Sequence, residues 1–390
     1  MYRYVIRRLI QSIPTFFGIT ILAFILMIAT PGGPEGALAF NLAAGGGGNQ
    51  GGNSSGNSSG TGTGLNARDS IEMRLGTNDP ILARYLKWLI GDDWMRVDTD
   101  EDGFADIGRL VSPTFIASNG EEIRYRAGER YGILRGDFGF TFNGRPVLDV
   151  LTENIPATLE LSIASLILAT VFGILVGIFA AIGRGGVFDN FTRVFAVIIS
   201  AIPNFWLGLL ILLAFSFTPI IDTNGDGIAD KGLFPTGGRC KASIDDGCPP
   251  IIERIDHMFL PVMLLSLGGI AGTSRIMRAS MLDVVSQDYI RTARSKGLSN
   301  RRVWLRHGMR NALIPIATGL GPAITGVFGG AVITETIFNY QGVGLKTLEA
   351  ITQRDYNVVM AFTIYAAIAT IIGYLISDIL YAIIDPRIRY

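Results

Sequence analysis

Two acidic segments have the residue types and the spacing of a calcium-binding loop. Six of nine positions are identical between residues 98–106 and residues 222–230. Calcium-binding loops place oxygen ligands at positions 1, 3, 5 and 9 and a glycine at position 6. The predicted ligands at those positions are Asp98, Asp100, Asp102 and Asp106 in the first segment and Asp222, Asn224, Asp226 and Asp230 in the second. Position 12, where a glutamate usually completes the site, holds Arg109 or Leu233, so a solvated acidic turn without an ion remains the alternative.

The two cysteines, Cys240 and Cys248, follow the second acidic segment. Such a pair forms a disulfide in an oxidising compartment and stays as two thiols in a reducing one. We expect a disulfide, because the distribution of basic residues described below predicts that this segment is exported.

Motifs for catalysis or for a bound cofactor are missing from the sequence. Two cysteines and two histidines are too few for a zinc scaffold, and there is neither the glycine-rich phosphate loop of ATPases nor the HExxH helix of metalloproteases. Basic and acidic residues number 33 each, which argues against a nucleic-acid-binding protein. We therefore expect a protein that is not an enzyme and requires no cofactor, with a structural calcium ion as the one candidate.

The composition is typical of a membrane protein. Charged residues make up 17% of the 390 residues, and the mean hydropathy is +0.39. The charged fraction of soluble domains is about 25%. A helix needs about 20 largely apolar residues to cross the hydrocarbon core of a membrane. Six stretches without charged residues approach or exceed that length and predict six transmembrane helices: 9–34, 161–183, 194–221, 258–274, 311–334 and 356–377.

The distribution of basic residues predicts which side of the membrane each loop faces. Sixteen Lys and Arg residues fall in the two termini and in the loops after the second and fourth predicted helices, whereas six fall in the two short loops on the opposite side. Basic loops face the cytoplasm. Both termini are therefore predicted to be cytoplasmic, in a multi-pass protein of a bacterial or archaeal inner membrane.

The predicted helices divide the chain into a first helix, a long exported loop and a core. These parts are residues 1–34, residues 35–155, and residues 156–390 with an exported insertion at 218–257 and a cytoplasmic loop at 275–310. The Gly/Asn/Ser-rich tract at 44–64 buries too little apolar surface to fold and predicts disorder. Apolar residues at helical spacing over 80–90 predict an amphipathic helix near the membrane surface.

The loop at 275–310 is the candidate functional segment, and it holds nine basic residues. Its apolar residues Tyr289, Ile290 and Ala293 have helical spacing and predict a short helix. Gly297 is expected to end this helix before a second amphipathic stretch returns to the membrane. The residues alone are consistent both with a surface for anionic lipids and with a docking site for a partner protein.

Two acidic residues border the apolar stretches: Glu160 precedes the second, and Asp378 follows the sixth. Ionisable residues within a membrane are costly and usually face the interior of the helix bundle. We expect structural roles for both. Glu160 would stabilise the N-terminus of a helix, and Asp378 would pair with a basic residue.

Around the basic loop, the sequence resembles the permease subunits of binding-protein-dependent ABC importers, specifically the class related to the dipeptide, oligopeptide and nickel systems. The signature of that family is Glu-Ala-Ala, three residues and then Gly, which here corresponds to Arg291, Thr292, Ala293 and Gly297. Arg replaces Glu, and Thr replaces the first Ala. Further similar stretches lie at residues 1–9, 136–139, 144–147, 155–160, 200–208, 310–315, 335–338 and 385–390.

This resemblance implies an all-α integral membrane protein with six transmembrane helices, the type I ABC importer permease fold and enlarged exported loops. It also implies four kinds of partner: a second homologous permease, two ATPase subunits that alone bind ATP, an extracytoplasmic substrate-binding protein, and membrane lipid. The signature loop would be a coupling helix docked on an ATPase. The residues expected at that contact are Gln287, Asp288, Tyr289, Arg291, Thr292, Ala293, Arg294, Lys296 and Gly297.

The cargo implied by the resemblance is peptides, with nickel chelates or oligosaccharides as alternatives. Two other classes of protein stay open as rivals. A secondary transporter works alone and usually carries membrane-buried charges and internal repeats, which this sequence does not show clearly. A membrane anchor or sensor would bind calcium through its exported loops and lipid through its basic loop.

Overall fold

The computed structural model describes residues 2–29, 78–128, 131–141, 144–221, 231–240, 248–328 and 331–384. The predicted glycine-rich tract at 44–64 and the second acidic segment at 222–230 lie outside these residues. The chain divides into two compact units. The first unit comprises residues 1–14, 153–348 and 365–390, and the second comprises residues 15–152 and 349–364.

Helices dominate the described part of the chain. In order they are α1 (Tyr2–Ala29), α2 (Ile81–Ile90), α3 (Val147–Ile182), α4 (Val187–Ala201), α5 (Asn204–Leu212), α6 (Ile255–Val285), α7 (Asp288–Ser295), α8 (Asn300–Arg302), α9 (Met309–Ala312), α10 (Ile314–Phe328), α11 (Val332–Ile337), α12 (Val343–Gln353) and α13 (Tyr356–Ile384). The amphipathic helix predicted over 80–90 is confirmed as α2.

Each of the six predicted membrane stretches contains helix, but the helices differ in form. Four described segments are long and apolar enough to cross a membrane: Ile6–Ala29, Val147–Ile182, Ile251–Val285 and Tyr356–Ile379. The third stretch is a bent pair, because α4 and the segment Asn204–Phe217 meet at an angle of 104°. The fifth stretch is the shorter helix α10, which has 15 residues.

The break in the third stretch follows from Pro203. Proline has no backbone N–H and its ring clashes with the preceding helical turn, so a helix ends before it. The N–H of Ile202 donates the last bond of α4, to Ile198, and α5 begins at Asn204. Beyond Leu212 the helix widens into a π-helical turn, Leu213–Phe217.

Close packing of α3 against α6 depends on two glycines. A Cβ atom placed on Gly173 would lie 2.6 Å from the Cβ of Thr273, and one placed on Gly177 would lie 2.6 Å from the Cβ of Met277. Both distances are shorter than any carbon contact allows. These glycines therefore let the two helix backbones approach, as small residues do in membrane helix pairs.

The second unit contains two small antiparallel sheets between α2 and α3. Strand β1 (Arg96–Val97) pairs with β2 (Ile107–Gly108), and β3 (Thr114–Ile116) pairs with β4 (Glu122–Arg124). Their register is fixed at Arg96 opposite Gly108 and at Phe115 opposite Ile123. The sequence predicted no strands here, because runs of two or three residues are too short to show a twofold alternation.

A buried ion pair stabilises this sheet region. The Nη2 atom of Arg96 lies 3.0 Å from both carboxylate oxygens of Asp79, and its guanidinium stacks 3.5 Å from the centre of the Tyr125 ring. Both charged side chains are buried. Burial is tolerated because each charge has its partner and its hydrogen bonds.

Candidate functional site

Helix α7 in the basic loop has one buried face and one exposed face. Ile290 is fully buried and Ala293 nearly so. They pack into an apolar cluster, here called the loop cluster, that also contains Met277, Met281, Val303 and Ala312. The loop cluster packs α7 against the end of α6 and against the segment that returns to α10.

The other predicted docking residues are exposed on α7 and its two flanks. They are Gln287, Asp288, Tyr289, Arg291, Thr292, Arg294, Lys296 and Gly297. Ala293 differs, because its side chain is buried in the loop cluster, and it therefore positions the helix from below. The structure thus brings the predicted residues together on α7 and its two flanks, where exposed basic side chains outnumber the one exposed acid, Asp288.

The turn after α7 requires a glycine because of its backbone conformation. Gly297 has φ of +76°, in the left-handed region that side chains with a Cβ disfavour. A Cβ atom added there would meet nothing within 4 Å. The N–H of Gly297 donates to the carbonyl of Arg294 (2.9 Å), and the N–H of Leu298 donates to that of Ala293 (3.4 Å). Gly297 is therefore required by the backbone conformation of this turn, and the end of the short helix just before Gly297 agrees with the sequence prediction.

The chain returns to the helix bundle through α8, a π-helical turn at Val303–Gly308, and α9. Val303 is fully buried in the loop cluster. The amide of Asn311 donates to the hydroxyl of Tyr289 at 2.8 Å and ties the returning segment to α7. Wide π turns are often found at functional sites.

A buried ion pair joins α4 to α6 in the neighbourhood of the loop cluster. Asp189, which is fully buried, accepts a hydrogen bond from Nη2 of Arg278 at 2.7 Å and from the N–H of Gly185 at 2.9 Å. Met277, next to Arg278 in the chain, belongs to the loop cluster. The broken third stretch is thereby fastened to the helix that carries α7.

Glu160 lies within α3, and the structure corrects its predicted position. Helix α3 begins at Val147, so Glu160 is 13 residues beyond the helix start and cannot stabilise the N-terminus. Its carboxylate instead accepts hydrogen bonds from Arg239 (2.7 Å), from both Nη atoms of Arg254 (2.8 Å each) and from the hydroxyl of Tyr340 (3.1 Å). We call these four residues the Glu160 cluster.

The Glu160 cluster connects four separate segments of the first unit. Arg239 precedes Cys240, Arg254 precedes α6, and Tyr340 lies between α11 and α12. Burial and the neighbouring Glu160 carboxylate raise the pKa of Tyr340, which therefore stays protonated and donates. Two cations and one anion leave the cluster with a net positive charge.

Glu335, in the stretch that the resemblance covers, is a buried acid whose role the sequence did not predict. Its carboxylate is fully buried and accepts hydrogen bonds from the hydroxyl of Thr158 (2.8 Å) and the N–H of Leu345 (2.9 Å). The Thr158 hydroxyl in turn accepts the N–H of Val343 at 2.8 Å. Glu335 and Thr158 thus satisfy N–H groups in the first turn of α12, which have no partner within the helix.

Asp378 pairs with a basic residue, as expected. Its carboxylate lies 3.0 Å from Nε of Arg8 on α1. The sequence indicated this pairing because Asp378 is an isolated acid at the end of an apolar stretch.

The first predicted calcium loop brings only part of its ligand set together. Carboxylate oxygens of Asp98, Asp100 and Asp106 lie within 4.8 Å of one another. Asp102 instead forms an ion pair with Arg124, which also contacts Asp106 at 3.0 Å. The N–H and hydroxyl of Thr99 donate to Asp106 and lower its pKa, so this carboxylate is charged at neutral pH. Three carboxylates thus converge at this loop, and the guanidinium of Arg124 already pairs with Asp102 and Asp106 beside them.

Cys240 and Cys248 form a disulfide in the structure. The bond closes a loop of the insertion directly beside Arg239 of the Glu160 cluster. The predicted ligands Asp222, Asn224, Asp226 and Asp230 lie outside the described residues.

Comparison with known proteins identifies the family. Residues 173–390, more than half of the chain, match the family described as binding-protein-dependent transport system inner membrane component. The chain belongs to this family. It is thus a permease, the non-catalytic membrane subunit of an ABC transporter.

Two relatives of this permease match it along the whole chain. It is 35% identical to the oligopeptide transport system permease protein AppB of Bacillus subtilis, with 100% of both chains covered. It is 30% identical to the dipeptide transport system permease protein DppB of Escherichia coli K12, covering 100% of this chain and 99% of that one. A solved structure of the inward-facing MetNI methionine ABC transporter covers 60% of this chain and 97% of its own at 14% identity, with a TM-score of 0.41, which is too low to place residues by.

The family match contains α7, the loop cluster residues on α6 and beyond, and Glu335 of the permease. Glu160 lies before it, in the part that the full-length relatives also cover. Arg239, Arg254 and Tyr340 lie inside it.

Proposed function

We propose that the permease forms, together with a second homologous permease, a peptide pathway across the cytoplasmic membrane, and that α7 docks on one of two ATPase subunits. An extracytoplasmic binding protein delivers the cargo. The observation that carries the docking site is the division of α7 into a buried apolar face and an exposed basic face, held on α6 by the loop cluster. A rigid connection of this kind transmits a movement of the ATPase to the membrane helices.

The names of the relatives support peptides as cargo. Those relatives are permeases of oligopeptide, dipeptide and di/tripeptide transport systems. Nickel chelates and oligosaccharides are the alternative cargoes. The ligand that the cognate binding protein retains after purification distinguishes them, and a protein that retains only nickel or sugar would contradict the peptide proposal.

The orientation we propose places both termini and α7 in the cytoplasm. Its support is the concentration of 16 basic residues in the termini and in the two loops on the same side. The acidic loop at 98–106 and the disulfide then face outward, where calcium and an oxidising environment are available.

Charge reversal on α7 tests the docking proposal. Arg294→Glu and Lys296→Glu exchange exposed cations for anions without touching the loop cluster, so the permease should insert normally and lose ATPase during co-purification. We expect at least a tenfold loss of bound ATPase for the double variant. Arg109→Glu, an equally exposed arginine in the other unit, is the matched control and should retain wild-type amounts.

Two results would contradict the proposal. One is full ATPase binding and transport in the double variant. The other is a purified wild-type chain that transports alone, as a secondary transporter does. In the first case, a simultaneous loss of lipid binding would assign α7 to the membrane surface instead.

A structural calcium ion at Asp98, Asp100 and Asp106 is a further part of this proposal, supported by the convergence of the three carboxylates. Calcium titration of the purified permease, monitored by protection from proteolysis between residues 96 and 126, tests it. Asp98→Asn should abolish the protection and Glu121→Gln should keep it. Protection that is equal with calcium and with chelator would refute calcium binding.

A further inference from the structure

A small pocket in the second unit lies where α2 packs beside α1. Its volume is about 120 Å³. Apolar and charged side chains meet in its lining, which includes Phe24, Met27, Arg84, Lys87, Trp88 and Asp137. None of these residues belongs to α7, to the Glu160 cluster or to the acidic loop.

The contacts of α2 place this pocket at the depth of the membrane interface. The rings of Tyr85 and Trp88 pack on Phe24 with centroid distances of 5.4 and 5.7 Å, and the Tyr85 hydroxyl is 2.9 Å from that of Thr20. Thr20 and Phe24 belong to the apolar span that ends at Ala29. With a rise of 1.5 Å per residue, they lie about 14 and 8 Å before the end of α1. Helix α2 therefore lies alongside the end of the span.

The exposed side chains of α2 are of the types expected at the membrane interface. Ile81 and Leu82 are 63% and 67% exposed, so two adjacent large apolar side chains lie on the surface at the start of α2. Trp88 and the basic residues Arg84 and Lys87 follow within two turns. Amphipathic helices that lie in a membrane interface combine apolar, aromatic and basic residues in this way.

The charges around the pocket favour a zwitterion over a simple anion. Lys87 forms an ion pair with Asp92 at 2.9 Å. Asp137, whose carboxylate accepts the N–H groups of Tyr131 and Gly139, faces the same space as Arg84. Within the described residues no acid lies in ion-pair distance of Arg84. The two cations and two anions cancel, so the pocket offers one positive and one negative pole without net attraction for an anion.

The size of the pocket indicates a ligand that is only partly enclosed. Sites that enclose a small molecule have volumes of about 300–1,000 Å³. A volume of 120 Å³ has room only for the polar end of a larger molecule, whose remainder would lie outside the pocket. A peptide cargo bound here would have to leave the rest of its chain in the same lipid-facing position. A membrane lipid therefore fits this pocket better than a peptide.

We propose that this pocket binds the headgroup of a phosphatidylethanolamine molecule from the surrounding membrane. Arg84 faces the phosphate and Asp137 faces the primary ammonium, which can donate hydrogen bonds to the carboxylate. The acyl chains follow Ile81 and Leu82 into the bilayer. The bound lipid joins α2 to the membrane beside α1.

Lipid retention by the purified full-length permease tests this site. The permease is placed in nanodiscs made of an equal mixture of phosphatidylethanolamine, phosphatidylcholine and phosphatidylglycerol. It is then extracted in mild detergent, and the lipids that it retains are counted by native mass spectrometry. We expect at least fivefold enrichment of phosphatidylethanolamine over the other two. This comparison uses the unaltered protein, so it does not depend on the folding of a variant.

Two variants test the separate roles of Arg84 and Asp137 in headgroup binding. Arg84→Ala should remove the enrichment altogether. Asp137→Asn removes the charge but keeps one oxygen for the N–H of Gly139, at the loss of the acceptor for the N–H of Tyr131. It should reduce the preference for the primary ammonium over the quaternary ammonium of phosphatidylcholine. Arg126→Ala, an exposed arginine outside the pocket, should leave the enrichment unchanged.

Three outcomes would overturn the proposal. They are equal retention of the three lipids, enrichment that persists in Arg84→Ala, and competition by soluble glycerophosphoethanolamine at the same concentration as the lipid. The last result would show a site for a free phosphoester, without a role for the acyl chains.

Discussion

At the scale of single residues, the permease places its buried charges in groups that satisfy one another. Asp189 has Arg278, Asp79 has Arg96, and Glu160 has two arginines and a tyrosine. Removing one member of a buried pair costs more stability than the pair itself contributes, because the remaining charge loses its partner without gaining water.

The Glu160 cluster gives the sharpest case. Glu160→Gln keeps the shape of the side chain and removes the negative charge that balances Arg239 and Arg254. We expect a loss on the order of 3 kcal/mol, since Arg254 is only 5% exposed. The measurement is the thermal unfolding of the purified permease, followed by intrinsic tryptophan fluorescence.

The matched control is an ion pair at the surface. Arg135→Gln removes the contact between Arg135 and Asp93, which are 46% and 30% exposed, and should shift the unfolding temperature little. Equal shifts in the two variants would contradict a stabilising role for the Glu160 cluster.

Residue chemistry was predictable from sequence only where the partner lay nearby or was required by charge. The pairing of Asp378 and the glycine turn at Gly297 followed from isolated signals. The partners of Glu160 did not, because Arg239 and Arg254 lie 79 and 94 residues further along the chain. The role of Glu335 was missed because neutral donors, Thr158 and backbone N–H groups, satisfy it, and these leave no charge pattern.

At the scale of elements, length and apolar composition located the helices, whereas their shape came from particular residues. The third stretch was predicted as a single segment, and the structure shows its break at Pro203 and the angle of 104°. The start of α3 was placed too late in the sequence, because its first turns, from Val147, mix polar and apolar residues and contain Asp149 and Glu153.

Two glycine substitutions test whether the close approach of α3 and α6 stabilises the permease. Gly177→Ala puts a Cβ 2.7 Å from the carbonyl oxygen of Ser274 and 2.6 Å from the Cβ of Met277, so α3 and α6 must separate. Gly268→Ala on α6 meets nothing within 4 Å and gains helix propensity of about 1 kcal/mol. We expect Gly177→Ala to lower the unfolding temperature and Gly268→Ala to leave it unchanged or raise it.

The same thermal unfolding assay measures both glycine variants. The opposite order of the two unfolding temperatures would show that the spacing of α3 and α6 adapts without cost. A transport assay adds a second test, since a wedge between helices that carry α7 should also slow transport.

At the scale of the whole molecule, the formal charge of zero conceals a strong asymmetry. The segments proposed to be cytoplasmic hold 16 of the 33 basic residues and few acids, whereas acidic loops lie in the segments proposed to be exported. Positively charged loops resist export, and the proposed orientation rests on this distribution.

Cysteine labelling tests this orientation. The two native cysteines are joined in a disulfide and do not react, so single cysteines introduced as Arg3→Cys, Arg389→Cys and Asn119→Cys report cleanly. A membrane-impermeant maleimide added to intact cells should label only Asn119→Cys. Labelling of either terminal variant without permeabilisation would invert the proposed topology.

The residues of the Glu160 cluster are synthesised at different times. Its carboxylate enters the membrane with α3, but Arg239, its first cationic partner, is synthesised 79 residues later. At about 5–20 residues per second this takes roughly 4–16 s. During that interval a newly made chain carries an acid without a cationic partner from this cluster near the end of a span, and a chain that stops before Arg239 carries it permanently. The charge of Glu160 is therefore compensated within this cluster only in a chain that has been synthesised beyond Arg239 and Arg254.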